Sequence, residues 1–116
     1  MPLEYKTITI FTSADVYWKG KPLADAVNEF IVQRKLAARC IVTKGTAGCF
    51  ENGEVYVQAM LEFPDNMPLK IEIILSAAGI DDVLTHFKEM TVDGVVAITE
   101  PEIISYKPAT GIGFYK

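Results

Sequence analysis

The sequence is poor in the residues that build covalent or metal-held scaffolds. Its 116 residues include two cysteines, one histidine and one tryptophan. Two cysteines do not make a disulfide framework. The eight residues between Cys40 and Cys49 match no common zinc spacing. A single histidine, His86, excludes a histidine-based triad or a multi-histidine zinc site within one chain. There is no basic excess either. Lysine and arginine number 11 against 15 acidic residues, a net charge of −4, which argues against a nucleic-acid partner. The apolar runs fall far short of the roughly 20 residues that span a bilayer. Met1 to Lys6 lacks a basic segment followed by an apolar stretch, so no secretory signal is expected. The chain also lacks internal repeats and low-complexity stretches. These absences predict a soluble cytoplasmic protein forming one domain over residues 1–116, with a core at about 5–107 and a tail at 108–116.

What is present is apolar residue, half of the chain. A core can therefore form without staples, burying roughly two thirds of the unfolded surface. Tyr5 to Thr12 alternates strictly, Lys6, Ile8, Ile10 and Thr12 against Tyr5, Thr7, Thr9 and Phe11, and its β-branched residues suit a strand. Ser13 to Lys21 breaks the pattern. Pro22 stands where the first helical residue belongs, with φ already helical. Leu23, Val27, Phe30 and Ile31 then form one stripe of an amphipathic helix. Asp25 in its first turn and Arg34 and Lys35 in its last match the helix dipole.

Ala38 to Thr43 is short and apolar and reads as a buried strand, with Cys40 in the core. Lys44 to Gly53 carries three glycines and the Asn52-Gly53 turn signal. Glu54 to Phe63 alternates, Pro64-Asp65-Asn66 turns, and Leu69 to Leu75 alternates again. Ser76 is placed to cap a second helix with the stripe Ile80, Val83, Leu84 and Phe87, and Asp81 and Asp82 favour its N-terminal end. Asp93-Gly94 is a turn and Val95 to Ile98 a strand, with Ile103 to Lys107 as its continuation beyond Pro101.

Two strand–helix–strand units in series predict an α+β fold, the ferredoxin-like βαββαβ sandwich, with one antiparallel sheet and two helices on one face. Tyr5, Phe11, Tyr56 and Met60 are candidates for the other face. An apolar second face predicts burial against another subunit, hence a homo-oligomer.

Few residues stand out as chemistry. His86 lies off the apolar stripe beside Lys88 and reads as a surface residue. Cys49, in the glycine loop, is an accessible thiol with no partner at metal spacing. Asp65, Asp81, Asp82, Asp93, Glu100 and Glu102 sit at turns and helix starts, where capping and solubility explain them, and nothing marks a catalytic pair. Two loops are more telling. Trp18-Lys19-Gly20-Lys21-Pro22 sets two lysines at a helix N-terminus, where free N–H groups attract anions such as phosphate. The plain alternative is a tryptophan that anchors the loop on the core beside two solvated lysines. Lys44-Gly45-Thr46-Ala47-Gly48 follows a strand and lets backbone N–H groups approach an anion. It lacks the full Walker pattern, and no helix follows.

Three stretches bind these features together: Trp18-Lys19-Gly20-Lys21-Pro22-Leu23, Lys44-Gly45-Thr46-Ala47-Gly48-Cys49-Phe50 and Met67-Pro68-Leu69-Lys70-Ile71-Glu72-Ile73. Their order, spread over residues from about 5 to 107, resembles the PII-like signalling superfamily. Within it they resemble a branch with a Trp-His-Gly-Lys-Pro-Leu motif ahead of the first helix. The resemblance implies trimers that bind adenine nucleotides in clefts between subunits. It also implies signalling to a membrane transporter or an enzyme through a flexible loop within Cys49 to Gln58. It places Gly45, Thr46 and Gly48 at the loop base and Asp93 and Gly94 at a second glycine turn. Trp18, Lys19 and Lys21 complete the implied ligand-binding set. No catalytic residue, metal or resident cofactor is implied. The positions after Gly94 are Val95 and Val96, and beyond Ile103 only Lys107 and Lys116 are cationic. Fewer cations favour AMP or ADP over a triphosphate. The rival readings are an adaptor subunit without a ligand, and a metal- or ion-handling protein or enzyme on the same fold.

Overall fold

The computed structural model describes residues 4–57 and 66–108. In chain order the elements are β1 (Tyr5–Ser13), β2 (Tyr17–Trp18), β3 (Lys21–Pro22), α1 (Leu23–Gln33) and β4 (Ala38–Lys44). They continue with β5 (Ala47–Cys49), β6 (Val55–Val57), β7 (Pro68–Ser76), α2 (Ile80–Met90) and β8 (Val95–Thr99). Four of these strands make one antiparallel sheet in the order β4-β7-β1-β8. This is the ferredoxin-like arrangement expected from the sequence. The pairs β2–β3 and β5–β6 form small hairpins outside it.

Alternation decides what the sheet buries. Ile8 of β1 pairs with Ile73 and Ile98, and Ile10 with Ile71 and Val96, so these residues share one face. Ile8, Ile10, Ile71 and Ile73 are fully buried there, together with Leu23 and Val27 of α1 and Val83 and Phe87 of α2. Each such side chain contributes about 1.5–3 kcal/mol of burial. Phe30 meets Phe87 edge-on at 5.4 Å, joining the two helices. The opposite face carries Phe11, Ile41 and Val95, all exposed, and half-buried Ile74, interspersed with Thr9, Lys70 and Glu72.

Local details depart from the sequence reading. Ala38–Lys44 is an edge strand and not a buried one, because it pairs with β7 alone; Ile41 is 58% exposed and Cys40 only half-buried. Pro22 is the N-cap of α1 and Leu23 its first helical residue, while Arg34 is the C-cap, so no basic residue lies in the last turn. Ser76 ends β7 and does not cap α2. Its Oγ accepts from the Ala78 N–H at 3.3 Å, and left-handed Gly79 (φ 72°) is the N-cap. Residues 103–107 do not continue β8; Tyr106 instead stacks on Tyr5 with ring centroids 4.7 Å apart. Of the strand read over 54–63, Val55–Val57 is seen. The remainder of that strand, the Pro64-Asp65 turn, Met60 and the end of the tail lie outside the described residues, as does the Tyr56 side chain.

Candidate functional site

The strand ends converge at one edge of the sheet. β1 finishes there, β4 finishes beside it, and β7 and β8 begin there. Between them opens a cleft of about 1230 Å³. Its floor is the open-face row Phe11, Thr43, Lys70 and Val95. Ser13 and Asp15 wall it on one side, with Asp93 and Gly94. Gly45 and the β5–β6 hairpin, through Cys49, Phe50, Glu51 and Glu54, wall the other.

Both glycine turns are held by specific contacts. At Asp93-Gly94 the buried Thr12 hydroxyl donates to the Asp93 carbonyl at 2.7 Å. Gly94 adopts φ 148°, and a Cβ there would collide with the Phe11 carbonyl oxygen. Only glycine lets this turn lie against β1. Thr91, just before it, has a buried hydroxyl oxygen without a hydrogen-bond partner among the described residues. At the other turn the Gly45 N–H donates to the Pro68 carbonyl at 2.7 Å, and Gly48 packs so tightly that a Cβ would sit 2.7 Å from Pro68 Cγ. The hairpin tip is closed by Gly53 N–H to the Phe50 carbonyl and by the Asn52 side chain accepting from the Glu54 N–H, each at 2.9 Å, with Gly53 at φ 86°.

The electrostatics of the cleft are acidic. Asp15, Glu51, Glu54 and Asp93 face one lysine, Lys70, whose ammonium is 3.2 Å from Glu72. The Ser13 hydroxyl donates to the Asp15 carboxylate. The two cysteines are placed differently, Cys49 lining the cleft and Cys40 packing against the core. Cys49 is exposed at the cleft, whereas burial raises the Cys40 thiol above its ordinary range. Among the described residues no three His, Cys, Asp or Glu side chains gather as a metal site.

The residues singled out from the sequence do not all meet. Gly45, Asp93 and Gly94 line the cleft, and Gly48 and Thr46 belong to the adjoining turn and strand without lining it. Trp18, Lys19 and Lys21 lie elsewhere, in a groove of about 310 Å³ between the β2–β3 hairpin and the two helices. There Lys21 is paired with Glu29, and the Lys19 ammonium lies 5.2 Å from the Trp18 ring centroid. The Leu23 N–H at the start of α1 donates to the Val16 carbonyl at 2.9 Å. Sequence reasoning missed Ser13, Asp15, Phe50 and Lys70. Only Asp15 offered a signal, an acidic residue in the break after a strand. His86 is a surface residue as expected, packed on Phe30 at 4.9 Å and 3.1 Å from Arg34 Nη2.

Among the described residues no helix is long and apolar enough to cross a membrane. No curated protein matches the chain. Among solved structures it is similar to CPII, a nitrogen regulatory PII-like protein from Thiomonas intermedia K12, bound to ADP, AMP and bicarbonate. The TM-score is 0.51 at 13% identity, covering 86% of this chain and 88% of that one, a likeness of fold. The sheet, its two helices and their order are thus those of a PII-like, ferredoxin-type fold. In sequence, residues 5–103 match DUF190, described as "Uncharacterized ACR, COG1993", and the chain belongs to that family.

Proposed function

We propose that the protein is a PII-like regulatory subunit and not an enzyme. It binds an adenine nucleotide of low phosphate number, AMP or ADP, in clefts between the subunits of a homotrimer. It then signals to a transporter or enzyme through the β5–β6 hairpin. The observation that carries this reading is the placement of the cleft. Its floor is part of the open sheet face, so a neighbour that covers Phe11, Ile41 and Val95 also closes the cleft. The volume, about 1230 Å³, is ample for a nucleotide.

Gly94 brings backbone to the cleft wall without a side chain in the way, which suits the close approach of a phosphate, while Gly45, whose N–H is given to the Pro68 carbonyl, leaves the opposite wall open. The acidic lining opposes accumulated phosphate charge and favours one or two phosphates over three. CPII holds ADP, AMP and bicarbonate on the same fold, and these are the first ligands to try. Calorimetric titration with AMP, ADP, ATP and cyclic AMP, with and without bicarbonate, tests the reading. Saturation near one site per subunit is expected, with AMP or ADP bound more tightly than ATP. No heat from protein shown to be folded, or a monomer by sedimentation, overturns it.

A further inference from the structure

The groove under the β2–β3 hairpin is separate from the cleft and has its own chemistry. The hairpin turns through Lys19-Gly20, at φ 49° and 83°, with Trp18 opposite Lys21. Positive φ at both central residues is the type I′ turn, whose first position suits asparagine, aspartate or glycine. Lysine there occupies a backbone region that L residues other than asparagine and aspartate rarely adopt. What this conformation achieves is placement, since the Lys19 ammonium hangs beside the Trp18 ring at the groove.

The groove's other charges are largely spent on one another. Lys21 pairs with Glu29, which also accepts from Gln33 Nε2 at 3.0 Å, and His86 lies between Arg34 and Asp82. Two charged groups of the lining remain without an ion pair among the described residues, the Lys19 ammonium and the Glu89 carboxylate. They share the groove with the apolar surfaces of Phe30 and Met90. A volume of about 310 Å³ lies at the small end of ligand sites.

We propose that this groove is a second small-molecule site, for a zwitterion carrying one carboxylate and one ammonium, the chemical class of free α-amino acids. The ligand's carboxylate meets Lys19, its ammonium meets Glu89, and its carbon frame covers Phe30 and Met90. One charge of each sign excludes a simple anion as the best ligand, since it would leave Glu89 facing like charge.

Trp18 is the sole tryptophan, so its fluorescence reports on this groove alone. The test is a fluorescence titration of the full-length protein with glycine, L-glutamine, L-leucine and L-glutamate, and with acetate and methylamine as single-charge probes. A saturable change is expected with at least one amino acid and with neither single-charge probe. Lys19→Asn keeps the turn by supplying a residue suited to it, and Glu89→Gln keeps the shape. Each should weaken the amino acid by about tenfold or more, the worth of a charge-assisted hydrogen bond. No saturable change with any amino acid overturns the proposal. So does an affinity unchanged from that of the parent protein in both variants, or saturation by acetate alone. Nucleotide calorimetry on the same variants reads the cleft independently, so either site can fail without the other.

Discussion

The two faces of the sheet are built from the same strands and have opposite fates. On the helix side, Ile8, Ile10, Ile71 and Ile73 are removed from water by α1 and α2. One residue along, Phe11, Ile41 and Val95 carry comparable apolar surface and remain exposed. The first face is finished within the chain. The second stays open among the described residues, and the cleft lies where that open surface meets the glycine turns. Burial within the chain is therefore concentrated on one face, and the function proposed above assigns recognition to the other.

Substitutions sharpen this contrast. Phe87→Ala on the covered side should cost about 3–5 kcal/mol in thermal or denaturant unfolding, the usual loss for a buried aromatic. Gly94→Ala should cost roughly 2–4 kcal/mol, through the blocked approach to the Phe11 carbonyl and the unfavourable φ, and should abolish nucleotide heat. Phe11→Ala should cost less than about 1 kcal/mol at protein concentrations where the subunits separate, and more where they associate. Equal costs for Phe11→Ala and Phe87→Ala at every concentration would erase the distinction between the faces.

The smallest effect is electrostatic. Hydrogen bonding and attraction to Lys21 lower the Glu29 carboxyl below its ordinary 4.5, and Lys6 does the same to Glu100. A carboxyl lowered in the folded state stabilises it above the ordinary value, and that stability disappears as pH falls through the lowered one. A modest loss of Tm is expected below about pH 4.5, reduced by salt because both pairs are solvent-exposed. In Glu100→Gln the acid-induced drop should be smaller than in the parent protein.

Much of the covered face was legible in the sequence, because alternation and the 3.6-residue stripe are local signals. β1, the Leu23–Ile31 stripe and the Val83–Phe87 stripe follow from them directly. The edge position of β4 was not legible, since nothing in Ala38–Lys44 states how many neighbours the strand has. The strand expected at 103–107 failed for a related reason. Alternating residues permit pairing but do not supply an edge, and there Tyr106 takes Tyr5 as its partner. The candidate site divided along the same line. Gly45, Asp93 and Gly94 were read as turns because turn residues announce themselves, and the family resemblance drew Asp93 and Gly94 into the candidate site. That Trp18, Lys19 and Lys21 face the helices, while Asp15 a few residues earlier faces the cleft, depends on which way the chain leaves β1.

The strand order has a consequence for how the chain acquires its shape. β1 is flanked by β7 and β8, and β4 pairs only with β7. No two strands of the main sheet drawn from the first half of the chain are neighbours. As the polypeptide leaves the ribosome, β1 and β4 have no sheet partner until residues 68–76 emerge, and β1 lacks its second until 95–99. Every ladder of the main sheet closes a long loop before it returns any energy, which slows folding. During that interval Ile8 and Ile10 lie in an unpaired apolar strand; β7 gives it a first partner, and the cover supplied by Val83 and Phe87 of α2 follows.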